Sequence, residues 1–123
     1  MEKIDVKILL EQLNTFARDR DWDQFHSVKN LTTALMVEAG ELAELFQWQT
    51  EEQSNLAHRA PEQKMKIEAE LADVFGYLLR VADKCNVDLG AALLAKIQSN
   101  AEKYPVPLAR GNATKYTDFK SGS

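Results

Sequence analysis

At 123 residues the chain has the length of one ordinary domain, enough for a hydrophobic core and too little for a second one. Apolar residues make up 45% and charged residues 28%, the balance of a folded globular chain, and a net charge of −4 with no basic stripe argues against a nucleic-acid duplex as partner. No apolar run approaches membrane-spanning length and no apolar leader opens the chain, so a soluble, cytoplasmic protein without a membrane partner is expected.

Five glycines and three prolines punctuate the sequence, and no segment sustains a period-two alternation. The predicted fold is all-α, an antiparallel helical bundle of four main helices. The first runs from about Asp5 to Arg20, with Leu9, Leu13, Phe16 and Ala17 on one face. A polar and aromatic loop from Asp21 to His26 follows, and Ser27 is a suitable N-cap for a second helix reaching to about Trp48. After a polar connection, Pro61 suits the first turn of a third helix. This helix continues to about Cys85 and is apolar over much of its circumference, which places it in the middle of the bundle. Cys85, the single cysteine, excludes an intramolecular disulfide and reads as a core residue. Asp88 can cap a fourth helix from near Leu89 to Lys103, which must stop before Tyr104-Pro105-Val106-Pro107. Residues 1–107 form the predicted helical domain. Residues 108–123 are a polar tail carrying Arg110, Lys115 and Lys120, with too few apolar side chains for a core element.

The informative pattern is acidic. Glu38-x-x-Glu41 on the second helix and Glu70-x-x-Asp73 on the third each put two carboxylates on one helical face. At about 100° per residue Glu38 falls among Leu31, Leu35, Leu42 and Leu45, inside the stripe that faces the core. A lone carboxylate there must be protonated, paired with a cation or bound to a metal. Oxygen-only ligation selects a hard ion, magnesium first and manganese as substitute, and no Glu-x-x-His motif supports a di-iron site. An arbitrary Glu-x-x-Glu more often belongs to a solvated face, here one pairing with Lys64, Lys66 or Arg80. The doubled spacing and the place of Glu38 leave both readings open.

Leu89, Leu93, Lys96, Asn100 and Lys103 follow one line of the fourth helix, so a stripe that begins apolar becomes cationic and amide-bearing. Such a line suits phosphate oxygens, or simply a solvated helix end. Trp22, Phe25 and His26 in the first loop, Trp48 and Tyr77 offer rings on which a base can stack.

Taken together, Arg20-Asp21-Trp22 through Gln24-Phe25-His26, the run from Glu38 to Trp48, Glu70-Leu71-Ala72-Asp73-Val74, and Lys96 with Asn100, Lys103, Tyr104 and Pro105 resemble the MazG-like all-α nucleoside triphosphate pyrophosphohydrolases. Within them the chain is most similar to the dCTP-cleaving subgroup. The resemblance spans most of the chain from Phe16 to Tyr116. It implies cleavage of a dNTP between its α and β phosphates, with magnesium on Glu38, Glu41, Glu70 and Asp73; for water attack on the α-phosphorus, Glu38 or Glu41 is the expected catalytic base. It further implies Trp22, His26, Trp48 and Tyr77 on the nucleoside, and Lys96, Asn100 and Lys103 on the phosphates. Also implied is a homo-oligomer, a dimer or dimer-of-dimers tetramer, in which the C-terminal segment is flexible or reaches a neighbouring subunit. Val37, Val28 and Lys103 stand where relatives more often carry glycine, proline and arginine; Lys103 keeps the charge and loses the planar fork. Two other readings stay open, the same scaffold acting on dUTP or another non-standard nucleotide, and a non-enzymatic helical interaction protein.

Overall fold

The computed structural model describes residues 2–119, and among them every regular element is helical. Helices α1 (Val6–Asp19), α2 (Val28–Glu44), α3 (Glu51–Leu56), α4 (Pro61–Lys84), α5 (Leu89–Lys103) and α6 (Val106–Ala109) are joined by short connections; 23–25 and 57–59 within them, and 116–118 after α6, are 3-10 in form. Among the described residues no helix is long and apolar enough to cross a membrane.

Local chemistry accounts for most boundaries. Side-chain oxygens of Asp5, Ser27 and Asp88 accept from the backbone N–H groups of Ile8, Asn30 and Ala91 at 3.0–3.2 Å, capping α1, α2 and α5. Pro61 occupies the first turn of α4, where its missing N–H costs nothing. Asn86 ends that helix in the left-handed region, at φ 55°, with its N–H on the Asp83 carbonyl.

Three expectations are corrected. Helix α2 stops at Glu44 rather than near Trp48, because the chain tightens there: Leu45 and Phe46 donate to the carbonyls of Leu42 and Ala43, three residues back. The connection that follows is not irregular, since Thr50 and Gln53 form a reciprocal capping box that starts α3. Cys85 is exposed rather than in the core, because it sits at the C-cap of α4 where the helical face ends.

The chain divides after Asn86 into two compact units. In the first, α4 packs along both α2 and α1, the central place its apolar circumference predicts. Ala17 from α1, Leu31 from α2, and Leu79 and Ala82 from α4 are its buried apolar residues. Leu31 is the largest fully buried side chain, at 1% exposure. Leu31→Ala is expected to cost about 2–5 kcal/mol of unfolding free energy, read by denaturant titration. A loss well below that range would mean that Leu31 does not anchor the packing of this unit. In the second unit, Tyr116 and Phe119 lie edge-on to Tyr104, with ring centroids 5.9 and 5.7 Å apart, and the Lys103 ammonium stands 5.0 Å over the Tyr116 ring.

Candidate active site

Along α2 the half-buried positions Ala34, Leu35, Glu38 and Leu42 continue the line begun by Leu31, so Glu38 lies within the helix's inward stripe. The packing of α4 against α2 brings Glu70 to it. Carboxylate oxygens of Glu38, Glu41 and Glu70 lie within 4.8 Å of one another, Glu41 exposed and the other two half-buried. Glu38 Oε2 and Glu70 Oε2 are out of reach of solvent and have no hydrogen-bond partner among the described residues. Burial, followed by the close approach of the Glu41 and Glu70 carboxyls and the negative charges of Glu41 and Asp73, pushes the Glu38 carboxyl up from 4.5 to about 7.

No ion pair among the described residues relieves this crowding. Lys64 pairs with Glu68 at 3.9 Å, and Arg80 and Lys84 both reach Asp23 at 2.9 Å. Oxygens around a small octahedral cation, each about 2.1 Å from it, are about 3 to 4.2 Å apart, so three carboxylates within 4.8 Å of one another need only small side-chain shifts to close on a hard divalent ion. Two buried oxygens without donors are what such an ion would satisfy.

Asp73 stands one helical step beyond Glu70. It is close enough to raise Glu38 but lies outside the group of three, and its side chain lines an adjacent cavity of about 250 Å³. Leu13, Phe16 and Trp22 form one wall, and Gly76 and Tyr77 on α4 another. Phe16 and Trp22 meet edge to face, 5.7 Å between centroids at 71°. The loop carrying Trp22 is held in shape by Asp21 in the left-handed region, at φ 53°, whose carbonyl and carboxylate both accept from the Gln24 amide, and by the Asn30 amide on the Phe25 carbonyl. At the polar end of the cavity Arg80 bonds both Asp23 and His26 Nδ1. Burial, then the Arg80 charge, depresses the His26 pKa below its ordinary value, which keeps the ring neutral at pH 7.

The MazG-like family profile matches residues 33–119, from the middle of α2 to the last described residue. The chain belongs to the MazG-like family. It is 46% identical over 108 residues to dCTP pyrophosphatase 1 of Bos taurus and 44% identical to that of Homo sapiens, a match covering 88% of this chain and 64% of each relative. The match thus spans somewhat less than two thirds of those proteins. A crystal structure of a pyrophosphatase from Archaeoglobus fulgidus superposes with a TM-score of 0.76 at 31% identity, covering 85% of this chain and 96% of that one.

Within this MazG-like chain the predicted nucleoside residues do not all converge. Trp22, His26 and Tyr77 share the cavity, whereas Trp48 lies in the turns after α2, is 89% exposed and is not part of that wall. Lys96, Asn100 and Lys103 follow one face of α5; Lys96 and Asn100 are exposed, and Lys103 engages Tyr116. Two residues escaped the sequence reading. Asp23 is not singled out within its loop, and Arg80 reads as a surface partner for the carboxylates. The available signal was the spacing Asp73, Tyr77, Arg80, which puts the guanidinium on the same face of α4 as the two expected site residues.

Proposed function

We propose that the chain is a magnesium-dependent nucleoside triphosphate pyrophosphohydrolase, converting a dNTP to dNMP and pyrophosphate and so clearing unwanted nucleotides from the precursor pool. One observation carries this reading: three clustered carboxylates, two of them with a buried, unpartnered oxygen, adjoin an aromatic cavity, and Asp73 belongs to the surroundings of both. Glu38, Glu41, Glu70 and Asp73 would hold magnesium, with manganese as substitute. When bound, the ion supplies Lewis-acid polarisation of the α-phosphate and acidifies the attacking water.

The remaining work falls to the chain. Glu38 or Glu41 accepts the proton of the water that attacks the α-phosphorus. Trp22, His26, Trp48 and Tyr77 are assigned to the nucleoside, with stacking worth about 1–3 kcal/mol per base. Lys96, Asn100 and Lys103 are assigned to the phosphates, as point charges and an amide donor. dCTP or a modified dCTP is the substrate suggested by the relatives called dCTP pyrophosphatase 1. The working protein would be a cytoplasmic homo-oligomer, a dimer or dimer-of-dimers tetramer, built on residues 1–107 with 108–123 as a tail and with no nucleic-acid or membrane partner. The exposed Leu93, Leu94 and Ile97 on α5 favour such an assembly.

A magnesium-dependent hydrolysis screen over normal and modified dNTPs, with pyrophosphate and phosphate assayed separately, tests the proposal. Release of pyrophosphate and dNMP is expected, with dCTP or a derivative among the substrates. Absence of turnover on every dNTP would sink it in favour of a helical interaction protein.

A further inference from the structure

The cavity ends on a charged network of which hydrolysis as proposed uses only His26. Arg80 is 6% exposed, a cation taken almost wholly out of water. Of its guanidinium's five N–H donors, one on Nη2 bonds Asp23 Oδ1 at 2.9 Å and one on Nη1 bonds His26 Nδ1, while the buried Nε has no partner among the described residues. A guanidinium only donates, so His26 Nδ1 must accept, which puts the proton of the neutral imidazole on Nε2 and makes the ring's other nitrogen a donor. The acid of the network, Asp23, is held by Arg80 and Lys84 together and is not part of the cavity wall. The polar end of the cavity therefore presents donors and positive charge.

Helix α4 orders these groups. Glu70, Asp73, Tyr77 and Arg80 follow one face, and Asp73 and Arg80 are separated by two turns, about 10 Å. A nucleotide with its phosphates at the carboxylates and its base in the cavity points the base edge opposite its sugar toward Arg80. On a pyrimidine that edge carries the 4-substituent.

We propose that Arg80 reads the base, weighting the site toward a carbonyl at the far edge, as in a 4-oxo pyrimidine, and against the 4-amino group of cytosine. This rests on the nucleotide reading of the cavity, and it sets a 4-oxo pyrimidine nucleotide ahead of the dCTP that the relatives' name suggests. A carbonyl oxygen accepts from the guanidinium or from His26, whereas an amino group meets them donor to donor and leaves buried donors unsatisfied.

The test compares the full-length chain with Arg80→Met and Arg80→Lys in magnesium-dependent hydrolysis of dUTP and dCTP. The ratio of kcat/KM for dUTP to that for dCTP is expected to fall about tenfold or more in Arg80→Met, chiefly through KM, and by less in Arg80→Lys, which keeps the charge. A merely structural Arg80 would lower both rates together; an unchanged ratio in folded Arg80→Met overturns the proposal. Should circular dichroism show Arg80→Met unfolded, Arg80→Lys decides on the same criterion. Binding of dUMP and dCMP, read by tryptophan fluorescence, separates this inference from the hydrolysis it builds on. An inactive chain with an Arg80-dependent preference for dUMP upholds Arg80 and removes the enzyme. Turnover with no Arg80-dependent preference does the reverse, and a chain that neither binds nor hydrolyses either nucleotide removes both.

Discussion

Glu38→Gln is expected to lower magnesium-dependent dNTP turnover by about 10²- to 10⁴-fold, the range for losing a general base or a charge that stabilises the transition state. The amide keeps the size and shape of the side chain, so α2 and its packing against α4 should survive. What disappears is the negative charge of a carboxyl that burial and its acidic neighbours push up to about 7. Crowding with Glu41 and Glu70 should also ease, leaving the metal-free thermal midpoint unchanged or raised. Glu44→Gln, at the exposed end of the same helix, is the control and should turn over dNTPs as the parent does. A Glu38→Gln chain that hydrolyses dNTPs at the parent rate would falsify the assignment of the site.

The second large effect is on metal uptake. Without metal, Glu38 is half protonated near pH 7, because burial, the close Glu41 and Glu70 carboxyls, and the charges of Glu41 and Asp73 all favour its neutral form. A ligand must lose its proton before it can bind a cation, so magnesium affinity should rise with pH, by up to about tenfold per unit below 7, and level off above it. Calorimetry in two buffers of different ionisation enthalpy should find nearly one proton released per ion near pH 6 and almost none near pH 8. Stability runs the opposite way. Between 4.5 and about 7 the folded, metal-free chain holds a proton on Glu38 that the unfolded chain has lost. The stability contributed by Glu38 is therefore greatest below 4.5, declines as pH rises toward 7 and is flat beyond. His26, whose folded pKa is depressed below 6.5, acts in the contrary sense over the pH range just below 6.5, so the useful measurement is the difference between the parent and Glu38→Gln. Across pH 5 to 7.5 the metal-free parent should lose thermal stability relative to the variant, and magnesium should restore it. Affinity independent of pH over this range would place the ion elsewhere.

Much of the first unit and of α5 was legible in the sequence because the signals are local. Ser27, Asp88 and Pro61 act within one turn of where they stand, and α2, α4 and α5 begin where those residues place them. The end of α2 was misread because no glycine or proline marks it. The stop comes from a tightened turn and from Thr50 and Gln53 beginning another helix, a pattern present in the sequence but easily passed over as polar connection. Cys85 was misread because a helical period continues on paper to the C-cap, where the side chain no longer faces a neighbour.

The carboxylates divide along the same line. Period 3.6 alone puts Glu38 in the inward stripe of α2 and Glu70 and Asp73 on one face of α4, and a lone carboxylate in an apolar stripe calls for a proton or a cation. Which of them meet depends on the rotation and axial offset of α4 against α2, which no local signal encodes. Only the packed helices bring Glu70 to Glu38 and Glu41 and turn Asp73 toward the cavity. The same packing joins Arg80 to Asp23 across 57 residues of sequence. Burying that guanidinium against Asp23 and His26 turns an ordinary arginine of α4 into the polar end of the cavity.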